Sequence, residues 1–264
     1  MIQNFIIEKL EDFFKVFAEL EWNTENFIFR GVSNHEYELL PKIFRNGFTS
    51  DEEKRHFIDT HEYNAEREMK IYKTWKKKAY SYLNSYNIVN QWERLAIAQH
   101  YGLCTRLLDW TRNPMVAAYF AVNSQSVEDC AIWALSFTDS DYIDKSYYDQ
   151  DIDSFSGFFL FQPIDTDRRI TAQNSIFSAQ SFPISITNFF NEGEPADLQR
   201  LKKYKEEQRF LQTSTLIKIV IKNELKNKLY RVLLSWGINK GNLFPGLEGV
   251  SSGLTEQIKE LKFF

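Results

Sequence analysis

Two cysteines, Cys104 and Cys130, are too few for a disulfide framework. No apolar run reaches membrane length, and no N-terminal apolar segment leads to a cleavage site. A cytoplasmic chain with no membrane partner is therefore expected. Positive charge is not in excess: net charge is −4 and the isoelectric point is near 5.7, so nothing drives the whole surface toward phosphate backbones. The basic runs KTWKKKAY and LKKYKEEQR read as solvated helix faces. Patterns for Rossmann, P-loop, serine-hydrolase and zinc-protease chemistry are missing, which leaves those activities without support. His100 and Cys104 are four apart, but Gly102 interrupts the helix between them and no second ligand pair follows, so no metal is expected.

Large rings are abundant. Twenty-three Phe and an aromatic content of 16% imply a core built on them, in a chain of 264 residues that can bury a sizeable interior. Hydrophobic and charged contents of 43% and 26% are those of an ordinary globular protein.

The chain is organised around Gln91 to Val122. Trp92, Leu95, Ala96 and Ile97 mark a helix that stops at Gly102, where glycine enters the left-handed conformation without steric cost. A second helix starts at Asn113-Pro114, asparagine capping and proline filling the first turn. Its sequence MVAAYFAV has no polar face, so it must be buried. Between the two helices, Gln99, His100, Tyr101, Thr105, Arg106, Asp109, Trp110, Thr111 and Arg112 read as a polar connector drawn inward.

Elsewhere, Phe5 to Leu20 reads as a packing helix. NFIFRG, Asn26 to Gly31, is a short strand ending in arginine and glycine, where a ligand backbone can approach closely. Asp51 to Asn84 reads as a helical insertion. CAIWALSF (Cys130 to Phe137) and STLIKIVI (Ser214 to Ile221) are strands, GFFLFQP is a possible further one, and Asp139 to Asp153 is an acidic loop. RRITAQNSIFSAQSFP carries Gln173 and Gln180 among apolar residues and turn formers. Pro195 to Glu207 and Lys222 to Trp236 are helices, the latter stopped by Gly237, and a terminal helix follows Glu248. The expected architecture is a single α+β domain over 1–264, a modest mixed or split sheet packed by several helices.

Four pieces, FRG at Phe29 to Gly31, AQHYGLCTRLLDWTRNPMVAAYFA from Ala98, RRITAQNSIF from Arg168 and LFPGLEGV from Leu243, resemble the FRG-domain family in this order. Val32 departs from the frequent glutamine after FRG. Cys104 stands where proline is common, which argues against it as a nucleophile. An arginine-glycine pair closing an early strand, a central polar motif and a late acid are also similar to ADP-ribosyltransferases, which bind NAD in the cleft of a split sheet.

That second resemblance implies an NAD-consuming toxin or antiphage effector acting on a protein or nucleic-acid acceptor. Arg30, His100, Asp109 and Glu248 would be catalytic. Arg30, Gly31, Gln99, Tyr101, Thr105, Arg106, Trp110 and Gln173 would bind the nucleotide.

Each residue also has a packing role. Arg30 offers a bidentate fork to phosphate or an ion pair to an acid such as Asp109. Asp109 is a base or a holder of Arg30 or Arg106. His100 shuttles protons or ends a helix, and Gln99 and Gln173 read an amide or satisfy backbone. Tyr101 and Trp110 stack on a base or fill the core. Glu248 opposes developing positive charge, as glycosidase carboxylates do, or is a first-turn acid. A non-catalytic module binding a nucleotide, nucleic acid or phage protein is the alternative.

Overall fold

A computed structural model describes residues 2–21, 27–45, 61–86, 88–124, 126–137, 152, 155, 158–163, 171–181, 185–190 and 214–261. Its strands are β1 (Gln3–Ile7), β2 (Phe27–Val32), β3 (Leu107–Thr111), β4 (Cys130–Ser136), β5 (Phe158–Phe161), β6 (Ser175–Gln180) and β7 (Leu216–Ile221). They form one sheet in the order β1-β7-β4-β2-β3-β6-β5. The β1–β7 pair is parallel and all other neighbours are antiparallel. The α+β architecture with a mixed sheet is as the sequence leads one to expect.

Helices are α1 (Leu10–Glu21), α2 (Lys42–Arg45), α3 (His61–Lys78), α4 (Gln91–His100), α5 (Pro114–Val122), α6 (Asn223–Ser235), α7 (Lys240–Leu243) and α8 (Leu247–Leu261). Period-two alternation divides the sheet's side chains between two cores. Phe29, Ile132, Ala134, Ile217 and Ile219 pack against α1, α5 and α6 on one face. Ile28, Val32, Trp133, Leu135 and Leu216 join Leu108, Trp110, Ile176, Phe189 and Phe190 on the other. A further cluster sets Trp92, Leu95 and Ala96 of α4 and Met69 and Tyr72 of α3 against Leu107, Phe159, Phe161 and Phe177.

The α5 helix behaves as its composition demands. Asn113 Oδ1 accepts the Met115 N–H at 2.9 Å, Pro114 fills the first turn, and Val116 through Tyr119, Ala121 and Val122 are buried. Gly102 and Gly237, at φ +93° and +80°, follow α4 and α6.

Three local expectations are corrected. The N-terminal helix begins at Leu10, because Phe5 and its neighbours pair with β7 instead. RLLDWT is not a connector: Leu107–Thr111 is a central strand buried except at Asp109, and its partner β6 arises from a segment read as apolar residues and turn formers, with no strand assigned. A strand this short, carrying polar residues, has too few positions to declare a period. The charged helix at 195–207, the loop at 139–151 and the start of the 51–84 segment lie outside the described residues.

Candidate functional site

The sheet opens between β2 and β3. Strand β2 pairs along its whole length with β4, yet meets β3 in register only at Phe29–Thr111. Arg30, the next residue, spans the divergence with its side chain: Nη1 donates to the Asp109 carbonyl at 2.6 Å and lies 3.7 Å from Asp109 Oδ2. A cavity of about 450 Å³ occupies this split, within the range usual for small-molecule sites.

Gln99 and His100 enter from the last turn of α4, Asp109 and Trp110 from β3, and Arg30 and Gly31 from β2. Gln173, just before β6, lines it as well. Tyr37, Glu38, Arg45, Phe120 and Phe244 line it too; Phe120 and Phe244 fall within the motifs quoted above, whereas Tyr37, Glu38 and Arg45 carry no local sequence pattern. Arg45 arrives because α2 is tied to the β3 approach, Ile43 N–H donating to the Thr105 carbonyl at 3.4 Å.

Hydrogen bonding fixes the orientation of the Gln99 amide. The Asp109 carboxylate can only accept, which turns Gln99 Oε1 toward Thr105, whose Oγ1 accepts the Leu107 N–H at 3.1 Å and donates its own proton to Gln99 Oε1. That leaves Gln99 Nε2 to donate to Asp109 Oδ1 at 2.8 Å. Asp109 is therefore held on both sides, by an amide and a guanidinium, with 59% of its side chain still exposed.

Burial lowers the Arg30 pKa to about 10, with Asp109 working the other way and Arg45 adding to the fall. Arg30 thus stays cationic at neutral pH. Burial also lowers Arg45, with Asp109 and Tyr37 opposing. Two guanidinium groups, a positioned carboxylate and aromatic walls suit an anionic ligand with a flat ring.

Other residues singled out from sequence go elsewhere. Arg106 is buried in a private pair with Glu68, Nε to Oε2 at 2.7 Å and its N–H to Oε1 at 2.9 Å. Thr105 is wholly buried and acts on the cavity only through Gln99. Tyr101 points to solvent, its hydroxyl 2.6 Å from that of Tyr86. Glu248 is exposed in the first turn of α8 and is not among the lining residues. The glycines around it serve packing: a Cβ on Gly249 would sit 1.6 Å from the Phe244 carbonyl oxygen, and one on Gly253 2.4 Å from Gly241 N.

Gly31 lines the split, but the backbone that approaches it belongs to α5, not to a ligand: an added Cβ would lie 1.9 Å from the Ala117 carbonyl oxygen. Trp110 is 2% exposed and donates Nε1–H to Ser178 Oγ at 2.9 Å. The Gln173 main-chain carbonyl accepts from Thr111 Oγ1 at 2.6 Å and its side-chain Nε2 donates to the Leu243 carbonyl at 3.0 Å, tying the late LFPG segment to the cavity.

Among the described residues, no three of His, Cys, Asp or Glu gather to hold a metal, and no helix is long and apolar enough to cross a membrane. Fold and cavity together define an α+β protein with a ligand-sized cleft where a mixed sheet parts beside Arg30, an arginine within β2. Residues 25–130 match the family model of the FRG domain, to which that stretch of the chain is similar. No curated protein and no solved structure matches. The match spans Arg30, Gln99, His100, Asp109 and Trp110, whereas Gln173 and Phe244 come from beyond it.

Proposed function

We propose that the cavity at the split binds a phosphate-bearing nucleotide, NAD, and that the chain is an ADP-ribosyltransferase-like enzyme. The observation that carries this reading is the gathering of Arg30, Gln99, His100 and Asp109 on one cavity of about 450 Å³. Arg30 would hold a phosphate, Gln99 and Gln173 would face the carboxamide, and Phe120 would wall the ring.

Cleavage breaks the bond between the ribose C1′ and the nicotinamide nitrogen, and the electron pair leaves with nicotinamide. Asp109, rather than Glu248, is the carboxylate placed to offset the positive charge that develops at the ribose. An acceptor nucleophile on a protein or nucleic acid then bonds to C1′ and gives up its proton, for which His100 is the nearby base. Acting in a host cell, such a chain would be a toxin or antiphage effector.

A second reading is a nucleotide-binding module without catalysis. It is favoured by the prior engagement of Asp109 with both Gln99 and Arg30. One experiment separates the two: calorimetric titration with NAD alongside chromatographic assay of released nicotinamide, for wild type, Arg30→Ala and Asp109→Asn. Catalysis predicts release that Asp109→Asn abolishes while binding persists, and loss of binding in Arg30→Ala. Binding without release selects the module. Absence of binding removes both.

A further inference from the structure

A cross-strand row runs over one face of the sheet. Asn4 pairs with Lys218, Lys218 with Trp133, and Trp133 with Arg30, so all four side chains project to the same side. The loop after β2 turns back over this row. Asn34 anchors it by accepting the Glu36 N–H at 2.8 Å on Oδ1 and the Tyr37 N–H at 3.0 Å on its carbonyl, while His35 N–H donates to the Asp129 carbonyl at 2.8 Å. Tyr37 and Glu38 consequently form a ridge: they line the split cavity on one side and a second cavity of about 400 Å³ on the other.

Asn4, Lys218 and Trp133 belong to the row beneath the second cavity, and His35, Glu36, Thr187 and Phe190 rise around it. Trp133 is 4% exposed, and its Nε1–H has no hydrogen-bond partner among the described residues. Indole can only donate, and buried donors are nearly always paired. Trp110, on the same face, shows the paired state through Ser178. Lys218 Nζ lies 5.1 Å above the Trp133 ring, and burial lowers its pKa while Glu36 opposes. Donors thus form the floor and carboxylates the rim.

We propose that this second cavity is a ligand site for an oxyanion, phosphate or carboxylate, carried on a small molecule that offers hydroxyl or amino donors to Glu36 and Glu38. The oxyanion pairs with Trp133 Nε1–H and Lys218 Nζ, completing the donor left unmet among the described residues. The site is separate from the NAD reading and stands or falls without it.

The test follows the Trp133 indole N–H resonance, assigned by its loss in Trp133→Phe, during titration of the full chain into the millimolar range. Adenosine monophosphate supplies phosphate with hydroxyls, L-serine a carboxylate with an amine, and acetate a bare carboxylate. A saturable shift with the monophosphate assigns a phosphoryl ligand, and one with serine a carboxylate ligand. Binding measured by calorimetry should weaken about tenfold in Trp133→Phe and in Lys218→Met, the loss expected of a charge-assisted hydrogen bond. A resonance unmoved by all three, or moved by acetate as strongly as by the other two, overturns the proposal, as does an undiminished shift in Lys218→Met.

Discussion

Replacing Gly31 by alanine tests why the arginine of β2 is followed by glycine. The new Cβ would stand 1.9 Å from the Ala117 carbonyl oxygen and 2.6 Å from Ala121 N, both main-chain atoms of α5. No rotamer relieves such a contact, so α5 must back away by about 1.5 Å to restore ordinary van der Waals distance, opening space around a helix whose inner side chains are wholly buried. Overpacking costs about 1–3 kcal/mol when side chains can adjust, and here backbone must move, so about 3 kcal/mol or more is expected. Urea unfolding should show a lower midpoint with an unchanged slope. Gly102→Ala is the control: no atom lies within 4 Å of its added Cβ and only the left-handed φ of +93° is penalised, by roughly 1–2 kcal/mol. If Gly31→Ala unfolds like wild type but loses ligand affinity, the close approach is to a ligand after all and the packing argument fails.

Glu68→Gln strips the buried Arg106 of its carboxylate and should destabilise by about 3–5 kcal/mol in urea unfolding; a cost under about 1 kcal/mol would mean that Arg106 finds other partners. Tyr119→Phe removes the hydroxyl that donates to Glu256 at 2.9 Å, leaving that carboxylate to the Lys240 N–H at 3.1 Å. A loss of about 1–3 kcal/mol and faster amide exchange in α8 are expected, and unchanged exchange there would count against the anchor. Burial works upward on Asp129, but hydrogen bonds from Lys222 and the Asn223 N–H outweigh it and hold its pKa below the usual 3.8. A depressed carboxylate stabilises the fold above its unfolded pKa and loses that contribution as pH falls through the folded one. The stability gap between wild type and Asp129→Asn should therefore be full at neutral pH and close as pH drops below 3.8; a gap independent of pH would exclude the linkage.

Much of the fold could be read locally. An apolar octapeptide behind Asn-Pro could only be a buried, capped helix, and CAIWALSF and STLIKIVI have the length and β-branched or aromatic content of buried strands. The strand bearing Arg30 was legible for the same reason, since FIFR alternates, but it runs on through Gly31 to Val32, so Arg30 lies within it and not at its end. Leu107–Thr111 was not. Its strand character comes from β6, more than sixty residues away, and from the single registered pair with β2. The role of Glu248 was equally hidden, because a first-turn acid and a cleft acid look alike until the packing of Gly249 and Gly253 turns the helix.

Helices, caps, buried strands and the charge carried on β2 followed from the sequence by itself, because each depends on residues a few positions apart. The tertiary structure decided which polar residues meet. It sent Arg106 to Glu68, turned Tyr101 to solvent, left Glu248 on the surface, and brought Arg45, Glu38 and Phe244 to Arg30. Those outcomes depend on where two strands part and on how closely one helix can approach a glycine, distances set between segments far apart in the chain.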